Sequence, residues 1–550
     1  MVKKLYIFLI SICIFVIPLS GNIPKITLVI VVDQLAYQTF DRLSPYFKYG
    51  FKNLLNNGVC FTNAHHPHGN PVTATGHTTI STGAYAKDHG VVLNGWMEED
   101  GSFVDFGDDI VQNAAVFSKN GFYDYGLSAH HILIETLSDQ LILKSTPFKN
   151  FSVYAIAGKS RAAIAMAGKL GKAIWFDDQA KQYTSSKAYF KQLPPWLRQF
   201  NQQCNLAKLP TISWQLFYDK NTPPYKFPFI NNYQFAASND KLAGCTIKLA
   251  RSFDKIGTNN SEDEEFLYEQ TPTANKTLIN LCKTCINAHD LKKHQNNLML
   301  WVSVSNFDLI GHTYGHDSFE AIDLLYHLDQ QLDELITYAQ KKVGKKNTLI
   351  VLTADHGCAP IPEVFNAQGY DTAHRIDIYK LQKDMNNLIE QEFGIEKIVT
   401  TFKNNQFFLT KKFKKPFDSK THDAILNHLK KYLNQQPGIK NCWTKQELET
   451  TSFDTNHLEQ YYKNQYHPLR SGDLIVMPFP YVYVAKYPTG TGHTTPYAYD
   501  TQVPLILYQY GSIEKKKHAH RVHITQLVPT LAHLLKVPCP SGAVGNQLLR

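Results

Sequence analysis

Four stretches of this 550-residue chain are almost entirely aliphatic over the length of a β-strand, and they constrain the fold more than any other feature. They are "ITLVIVVD", which ends at Asp33; "LMLWVSVSNFD", which ends at Asp308; "TLIVLTADHG", which contains Asp355 and His356; and "VPLILYQY", which begins at Val503. Such runs are typical of parallel strands buried on both faces. Helical patterns separate the runs. The sequence therefore predicts an α/β fold with a mostly parallel central sheet flanked by helices.

Three of these strands are followed by residues of the types that bind metal ions in proteins. They supply Asp33, Asp308 with His312 four residues on, and Asp355 with His356. An aspartate after a strand is a common turn former, so one such residue alone would mean little. Ligands of open α/β sheets, however, bind beyond the carboxyl ends of the strands. Three strands with this ending predict a site for Zn²⁺ or Mn²⁺, and the lack of cysteine argues against a closed structural zinc site.

A third histidine, His316, follows in the same run as Asp308 and is a further candidate ligand. We expect it to lie beside the site rather than on a metal.

The segment "PVTATGHTTISTG" is rich in hydroxyl groups and glycine. It is typical either of a loop that enters a helix or of a nucleophile at a helix N-terminus, where backbone N–H groups favour an anion such as phosphate. Thr73, Thr75, Thr78 and Thr79 are all candidate nucleophiles on chemistry alone. Their spacing does not choose between them.

The N-terminus predicts export. Lys3 and Lys4 precede a short apolar run and small residues, which is the pattern of a signal peptide over residues 1–21. We expect a periplasmic or secreted protein, with an uncleaved anchor as the alternative because Leu19 does not suit a cleavage site. A formal net charge of +9 over so long a chain does not indicate a nucleic-acid partner.

Nine cysteines are present, and the signal segment contains one of them. The other eight allow many pairings, so the sequence assigns none. For Cys282 and Cys285 we expect a local disulfide or two plain thiols rather than zinc.

Seven ordered motifs resemble one family. They are "VVDQLAYQTF", "PVTATGHTTISTG", "LNGW", "GKSRAA", "FDLIGHTYGH", "TADHG" and "GTGHTTPY". Together they resemble the alkaline phosphatase superfamily, and more narrowly the PafA-type, phosphate-irrepressible alkaline phosphatases, which are related to the nucleotide pyrophosphatase/phosphodiesterases. The resemblance implies one catalytic domain over residues 22–550. It is weak over about 180–290 and about 366–480, which we expect to be a cap and a second lobe inserted over the active site.

The resemblance also implies the roles of individual residues. It selects Thr73 as the nucleophile, although Thr75 stands where an apolar residue is expected. It gives Asn94, Lys159 and Arg161 as phosphate-binding residues. It implies two zinc ions, with manganese as the less favoured metal. One ion would be held by Asp33, Asp355 and His356, and the other by Asp308, His312 and His493.

These residues imply an exported phosphate monoesterase that acts on small molecules through a phosphothreonine. Lys159 and Arg161 favour a dianionic monoester because they add two fixed positive charges. A phosphodiesterase or nucleotide pyrophosphatase of the same fold is the alternative. A metal-stabilised envelope binding protein without turnover is the alternative from another functional class.

Overall fold

The structure is a computed structural model that describes residues 23–98, 100–110, 114–147, 149–204, 211–227, 233–238, 241–248, 267–293, 295–410, 418–455 and 457–549. The predicted signal peptide lies outside these residues. None of the helices in the described part combines the length and the apolar character that a membrane span requires.

A ten-stranded sheet forms the centre of the molecule. Its strands lie in the order Lys516–His518, Val59–His65, Gln502–Tyr508, Thr348–Thr353, Ile26–Val32, Asn296–Val304, Asn150–Ala157, Lys172–Asp177 and Gln182–Thr184, and Val522–His523 also pairs with Val59–His65. The five adjacent strands from Thr348–Thr353 to Lys172–Asp177 are parallel to one another. The prediction of a mostly parallel sheet is therefore confirmed.

One strand runs against its predicted direction. Gln502–Tyr508 is buried, as expected, but it is antiparallel to both of its neighbours, Val59–His65 and Thr348–Thr353. The prediction of a parallel strand from Val503 is therefore wrong. A continuous aliphatic run indicates burial on both faces, and it contains no information about the direction of the chain.

Helices cover the sheet. The longest, Phe319–Val343, packs against Pro272–Asn287 and Gly50–Asn57, whereas Thr73–Thr82 packs against Ser160–Ala167. The other described α-helices that accompany the central sheet are Tyr37–Leu43, Ala86–His89, Leu137–Leu143, Pro195–Gln203, Asn306–Tyr314, Ala498–Thr501 and Leu527–Leu535. Short antiparallel pairs also occur: Gly95–Met97 with Phe103–Asp105, Ala115–Ser118 with Gly121–Gly126, and Thr211–Ser213 with Thr246–Lys248.

The chain between the strands Thr348–Thr353 and Gln502–Tyr508 builds a second sheet. It is antiparallel, in the order Val399–Lys403, Gln406–Leu409, Leu474–Pro478 and Ile439–Thr444. His374–Asp377 pairs with Val482–Ala485 nearby. The helices of this stretch are Pro362–Ala367, Ile378–Phe393, Ser419–Asn434, Lys445–Thr450 and Glu459–Gln465. Side chains such as Met385 and Leu429 form an apolar cluster of their own here.

The eight cysteines of the described residues are all free thiols. Cys282 and Cys285 are buried in the helix Pro272–Asn287, so the structure favours plain thiols over a local disulfide at this pair.

Candidate metal centre and active site

The register of the sheet brings charged side chains to one edge. Val32 lies beside Val304, and Ser303 lies beside Ala157 on the next strand. The residues just beyond these strand ends therefore meet. They include Asp33, Lys159, Asp308 and, from the strand on the other side of Ile26–Val32, Asp355.

Asp308, His312 and His493 form one group whose ligand atoms could hold a metal ion. Asp308 Oδ1 lies 3.2 Å from His312 Nε2 and 3.7 Å from His493 Nε2. Asp308 and His312 are four residues apart on the helix Asn306–Tyr314, so both face the same way. His493 reaches them from a loop near the other end of the chain.

Asp33, Asp355 and His356 meet beside this group. His356 Nε2 lies 3.2 Å from Asp355 Oδ2 and 3.6 Å from Asp33 Oδ1. These three atoms are buried and accept or donate no hydrogen bond among the described residues, although His77 Nδ1 lies 3.2 Å from Asp355 Oδ2. Buried polar atoms are rarely left unpaired because their desolvation is costly. Three such atoms that face one another fit a cation.

The two groups adjoin. The rings of His356 and His493 stack with their centroids 3.6 Å apart. Asp308 also forms a possible ligand group with Asp33 and His356. The six predicted ligands thus converge on one region, and Asp308 contacts both halves of it.

The histidine rings are oriented for metal binding. Nδ1 of His312 lies 2.8 Å from the Thr491 carbonyl oxygen, and Nδ1 of His493 lies 2.7 Å from that of Pro71. Nδ1 of His356 lies 3.0 Å from the Gly357 carbonyl oxygen. A carbonyl oxygen only accepts hydrogen bonds, so each neutral ring carries its proton on Nδ1. Each Nε2 lone pair is then free to bind a metal, which is the usual arrangement of histidine ligands.

Charge at the site is unbalanced. Burial raises the pKa of Asp33, and the carboxylate of Asp355 raises it further. Burial also opposes ionisation of Asp308, but His312 and Lys159 outweigh it and hold the pKa of Asp308 well below its usual range. His356 and His77 similarly hold the pKa of Asp355 low against the effect of burial. Carboxylates buried this closely need positive charge to compensate for their desolvation.

Lys159 provides part of that charge. Its Nζ lies 2.8 Å from Asp33 Oδ2 and also contacts Asp308 Oδ2. Burial alone would lower the pKa of Lys159, but the two carboxylates more than reverse this and raise it. Lys159 thus contacts two predicted metal ligands. Its own side chain is 19% exposed. Its predicted contact with phosphate stays a prediction.

Thr73 is the first residue of the helix Thr73–Thr82, and the helix begins without a side-chain cap. Asn94 Oδ1 accepts a hydrogen bond of 2.9 Å from the backbone N–H of Ala74, so Asn94 lies next to this N-terminus. Arg161 is partly exposed in the first turn of Ser160–Ala167, the helix that packs on Thr73–Thr82. Thr75 is fully buried, and its hydroxyl has no hydrogen-bond partner.

His77 ties this helix to the metal centre. Its Nδ1 lies 2.9 Å from the Thr73 carbonyl oxygen and 3.2 Å from Asp355 Oδ2, and its Nε2 lies 2.9 Å from Ser303 Oγ. The N-terminus of the Thr73 helix is therefore held against Asp355.

Two further contacts come from parts of the chain where the resemblance is weak. The Gln465 side chain hydrogen-bonds both backbone groups of Asn70, three residues before Thr73. The backbone N–H of Ala237 donates to the Thr313 carbonyl oxygen, next to His312.

One residue that contacts the predicted ligands has no predicted role. Gln34 is buried and hydrogen-bonds two of the predicted ligands, Asp308 and Asp355. Its only signal in the sequence is its place directly after Asp33.

Comparison with known proteins identifies the family of this chain. Residues 27–503 match the model of the family described as type I phosphodiesterase / nucleotide pyrophosphatase. The chain is 29% identical to alkaline phosphatase PafA of Elizabethkingia meningoseptica, over 96% of this chain and 94% of that protein. It is 28% identical to alkaline phosphatase PhoV of Synechococcus elongatus, over 97% and 94% of the two chains.

A crystal structure of alkaline phosphatase PafA superposes with a TM-score of 0.84 at 26% identity, covering 96% of this chain and 98% of that one. The predicted fold class is thereby confirmed, as is the resemblance to PafA-type alkaline phosphatases. The chain belongs to the type I phosphodiesterase / nucleotide pyrophosphatase family, within the alkaline phosphatase superfamily.

Proposed function

We propose that this protein is an exported phosphate monoester hydrolase that attacks its substrate with Thr73 at a two-zinc site. The observation that carries the proposal is the convergence of three aspartates and three histidines with ligand atoms unpaired or facing one another. Both relatives named above are alkaline phosphatases, and each matches nearly the whole chain. Aspartate and histidine donors without cysteine suit zinc in a catalytic rather than a structural site.

The residues have separate tasks. Asp308, His312 and His493 would hold one ion, and Asp33, Asp355 and His356 the other. When bound, two divalent ions lower the pKa of a hydroxyl or water and offset charge on phosphate oxygens. Thr73 Oγ forms a bond to phosphorus while the bond between phosphorus and the ester oxygen breaks; the Thr73 hydroxyl gives its proton to solvent, and the departing oxygen takes one up and leaves as the alcohol. Water then cleaves the phosphothreonine, which releases inorganic phosphate and restores Thr73.

Charge favours monoesters over diesters. A monoester carries close to two negative charges at neutral pH and a diester carries one. Lys159 is the N-cap residue of the helix Ser160–Ala167 and Arg161 lies in its first turn, where a guanidinium can bind two phosphate oxygens at once. The second candidate, a phosphodiesterase or pyrophosphatase, is supported by the description of the matching family.

The deciding experiment compares kcat/KM on an aryl phosphate monoester and its methyl diester, using the zinc-reconstituted protein. We expect a strong monoester preference. Arg161→Ala should lose about 2–4 kcal/mol of transition-state stabilisation on the monoester, by analogy with a lost oxyanion donor, and less on the diester. A diester preference would establish the second candidate. If neither compound releases phosphate, the result would support the remaining alternative, a metal-stabilised binding protein without turnover.

Export is the remaining part of the proposal, and the signal-like residues 1–21 support it. Cell fractionation and N-terminal sequencing of the mature protein test it. We expect a periplasmic or secreted protein whose chain begins near residue 22, and a cytoplasmic protein that retains Met1 would contradict export.

A further inference from the structure

Gln34 has an unusual backbone for its type. It follows Asp33 directly, it is fully buried, and its φ is 71°, in the left-handed region that non-glycine residues rarely adopt. Strain of this kind persists where surrounding contacts hold a residue firmly, and it occurs most often at functional sites. The contacts that hold Gln34 in this conformation therefore indicate its role.

Those contacts join the three aspartates of the metal centre. Gln34 is covalently attached to Asp33. Its backbone N–H donates to Asp355 Oδ1 at 3.0 Å, and its side-chain Nε2 donates to Asp308 Oδ1 at 2.7 Å. The aspartates come from three different strands, and one residue fixes all three relative to one another.

The direction of these hydrogen bonds is determined. The Asp308 carboxylate only accepts, so the amide must turn its NH₂ group toward Asp308 and its oxygen away. That oxygen, Oε1, lies 2.9 Å from His316 Nε2, which must therefore carry a proton. His316 Nδ1 faces Thr39 Oγ1 at 3.5 Å. Both ring nitrogens of His316 are thus occupied, so His316 orients Gln34 and is no metal ligand.

The space around the amide is closely fitted. A Cβ atom placed on Gly311 would lie 1.7 Å from Gln34 Oε1 and 2.9 Å from His316 Nε2. Gly311 belongs to the same helix as Asp308 and His312. Only glycine at this position lets the Gln34 amide pass between that helix and His316.

We propose that Gln34 is a positioning residue that sets the separation of the two metal-binding groups by holding Asp308 Oδ1 in place. The proposal rests on the proposed function, since it assumes that both groups bind metal. Without the amide, Asp308 keeps the contact of Oδ2 with Lys159 but loses the hydrogen bond that holds Oδ1, and the group of Asp308, His312 and His493 binds its ion less tightly. The group of Asp355 and His356 is less affected.

The test measures zinc binding rather than activity. Two variants of Gln34 change the side chain and leave the backbone bond to Asp355 in place: Gln34→Asn tolerates the left-handed φ but is one methylene too short, and Gln34→Leu is equally short and also removes both side-chain hydrogen bonds, those with Asp308 and His316. Gln38→Asn is the matched control, because Gln38 lies on the surface and bonds Gln502. Zinc per chain and zinc affinity are measured by metal analysis and by competition with a chromogenic chelator.

We expect two zinc ions per chain in the wild type and in Gln38→Asn. Both Gln34 variants should keep one tight ion and bind the second about 10–100-fold more weakly, as for other residues that support metal ligands. Activity of Gln34→Asn should recover as free zinc is raised. His316→Asn should weaken the same ion, and the double variant should be little worse than Gln34→Asn alone.

Wild-type affinity for both ions in the two Gln34 variants would overturn the proposal, as would a wild type that binds fewer than two ions. If Gln34→Leu fails to fold, Gln34→Asn and His316→Asn still give the answer. A protein that binds two ions and shows the expected loss, but hydrolyses no monoester, would refute the proposed function and leave the role of Gln34 intact.

Discussion

At the residue scale, the surroundings of a ring decide what a histidine does. The sequence "TGHTT" occurs twice, at Thr75–Thr79 and Thr491–Thr495. His493 places Nδ1 on a carbonyl oxygen and turns Nε2 toward Asp308. His77 has both nitrogens engaged by Thr73 and Ser303. Identical pentapeptides thus lie on two sides of one site, and only one of their histidines has a nitrogen available to a metal.

We therefore expect His493→Ala to lose one zinc ion per chain. His77→Ala should keep both ions and lose stability by about 1–3 kcal/mol, because it leaves buried partners without their hydrogen bonds. Metal analysis and urea unfolding of both variants check this. Loss of zinc in His77→Ala but not in His493→Ala would mean that His77, and not His493, is the metal ligand.

The nucleophile can be assigned by a second pair of variants. Thr73→Ala should abolish the phosphoenzyme and reduce turnover by several orders of magnitude while zinc content stays near normal. Thr75→Val is the control: it removes a buried hydroxyl that has no partner and keeps the shape, so activity and stability should change little. Acid quenching followed by mass spectrometry locates the phosphate. A phosphorylated Thr75, or activity retained in Thr73→Ala, would contradict the role of Thr73.

At the scale of single elements, the strands and the polar residues after them could be predicted because both leave local signals. The direction of Gln502–Tyr508 could not, since burial does not reveal direction. The role of Gln34 could not either, because it depends on Asp308 and Asp355, which are hundreds of residues away along the chain. The pairing of the ligands rests on family resemblance, and no local pattern indicates that Asp308 lies within reach of both groups.

Close packing of the Thr73 helix on the sheet depends on Gly76. A Cβ at this position would lie 2.2 Å from the Asp355 carbonyl oxygen. We expect Gly76→Ala to displace the helix, to cost about 1–3 kcal/mol of stability from overpacking, and to lower kcat at least tenfold. Gly107→Ala is the control, because its Cβ would meet only side-chain atoms at an ordinary 3.4 Å. Thermal unfolding and steady-state kinetics of Gly76→Ala and Gly107→Ala test this expectation. A fully active Gly76→Ala would contradict the close approach of the helix to the Asp355 carbonyl oxygen.

At the scale of the whole molecule, the region that contains the second sheet contacts loops beside the site. Asn405, directly before the strand Gln406–Leu409 of that sheet, donates to the carbonyl oxygen of Thr494, next to His493. Gln465 bonds the loop before Thr73. Both contacts join parts of the chain that are far apart in sequence. We infer that the stretch predicted as a second lobe holds the His493 loop and the loop before the Thr73 helix in position.

The loop of His493 is also tied to the core by Asp500, and this links global stability to pH. Asp500 Oδ2 accepts from the backbone N–H groups of Thr494 and Thr495 and from the Thr495 hydroxyl, whereas Oδ1 has no partner. Burial raises the pKa of Asp500 to about 7, against an ordinary value of 3.8. Because the folded pKa is the higher one, the fold disfavours the charged form. Stability from this group is complete below pH 3.8 and is lost as pH rises through 7.

Asp500→Asn should remove this loss, because it keeps an acceptor for the three donors and carries no charge. The difference in unfolding free energy, variant minus wild type, should rise between about pH 4 and pH 7 and then level off, by at most about 4 kcal/mol. Urea unfolding of both proteins in the presence of a chelator, at intervals from pH 4 to pH 9, measures it and keeps metal binding out of the comparison. A difference that stays constant or falls with pH would mean that the three hydrogen bonds stabilise the charged carboxylate enough to offset its burial.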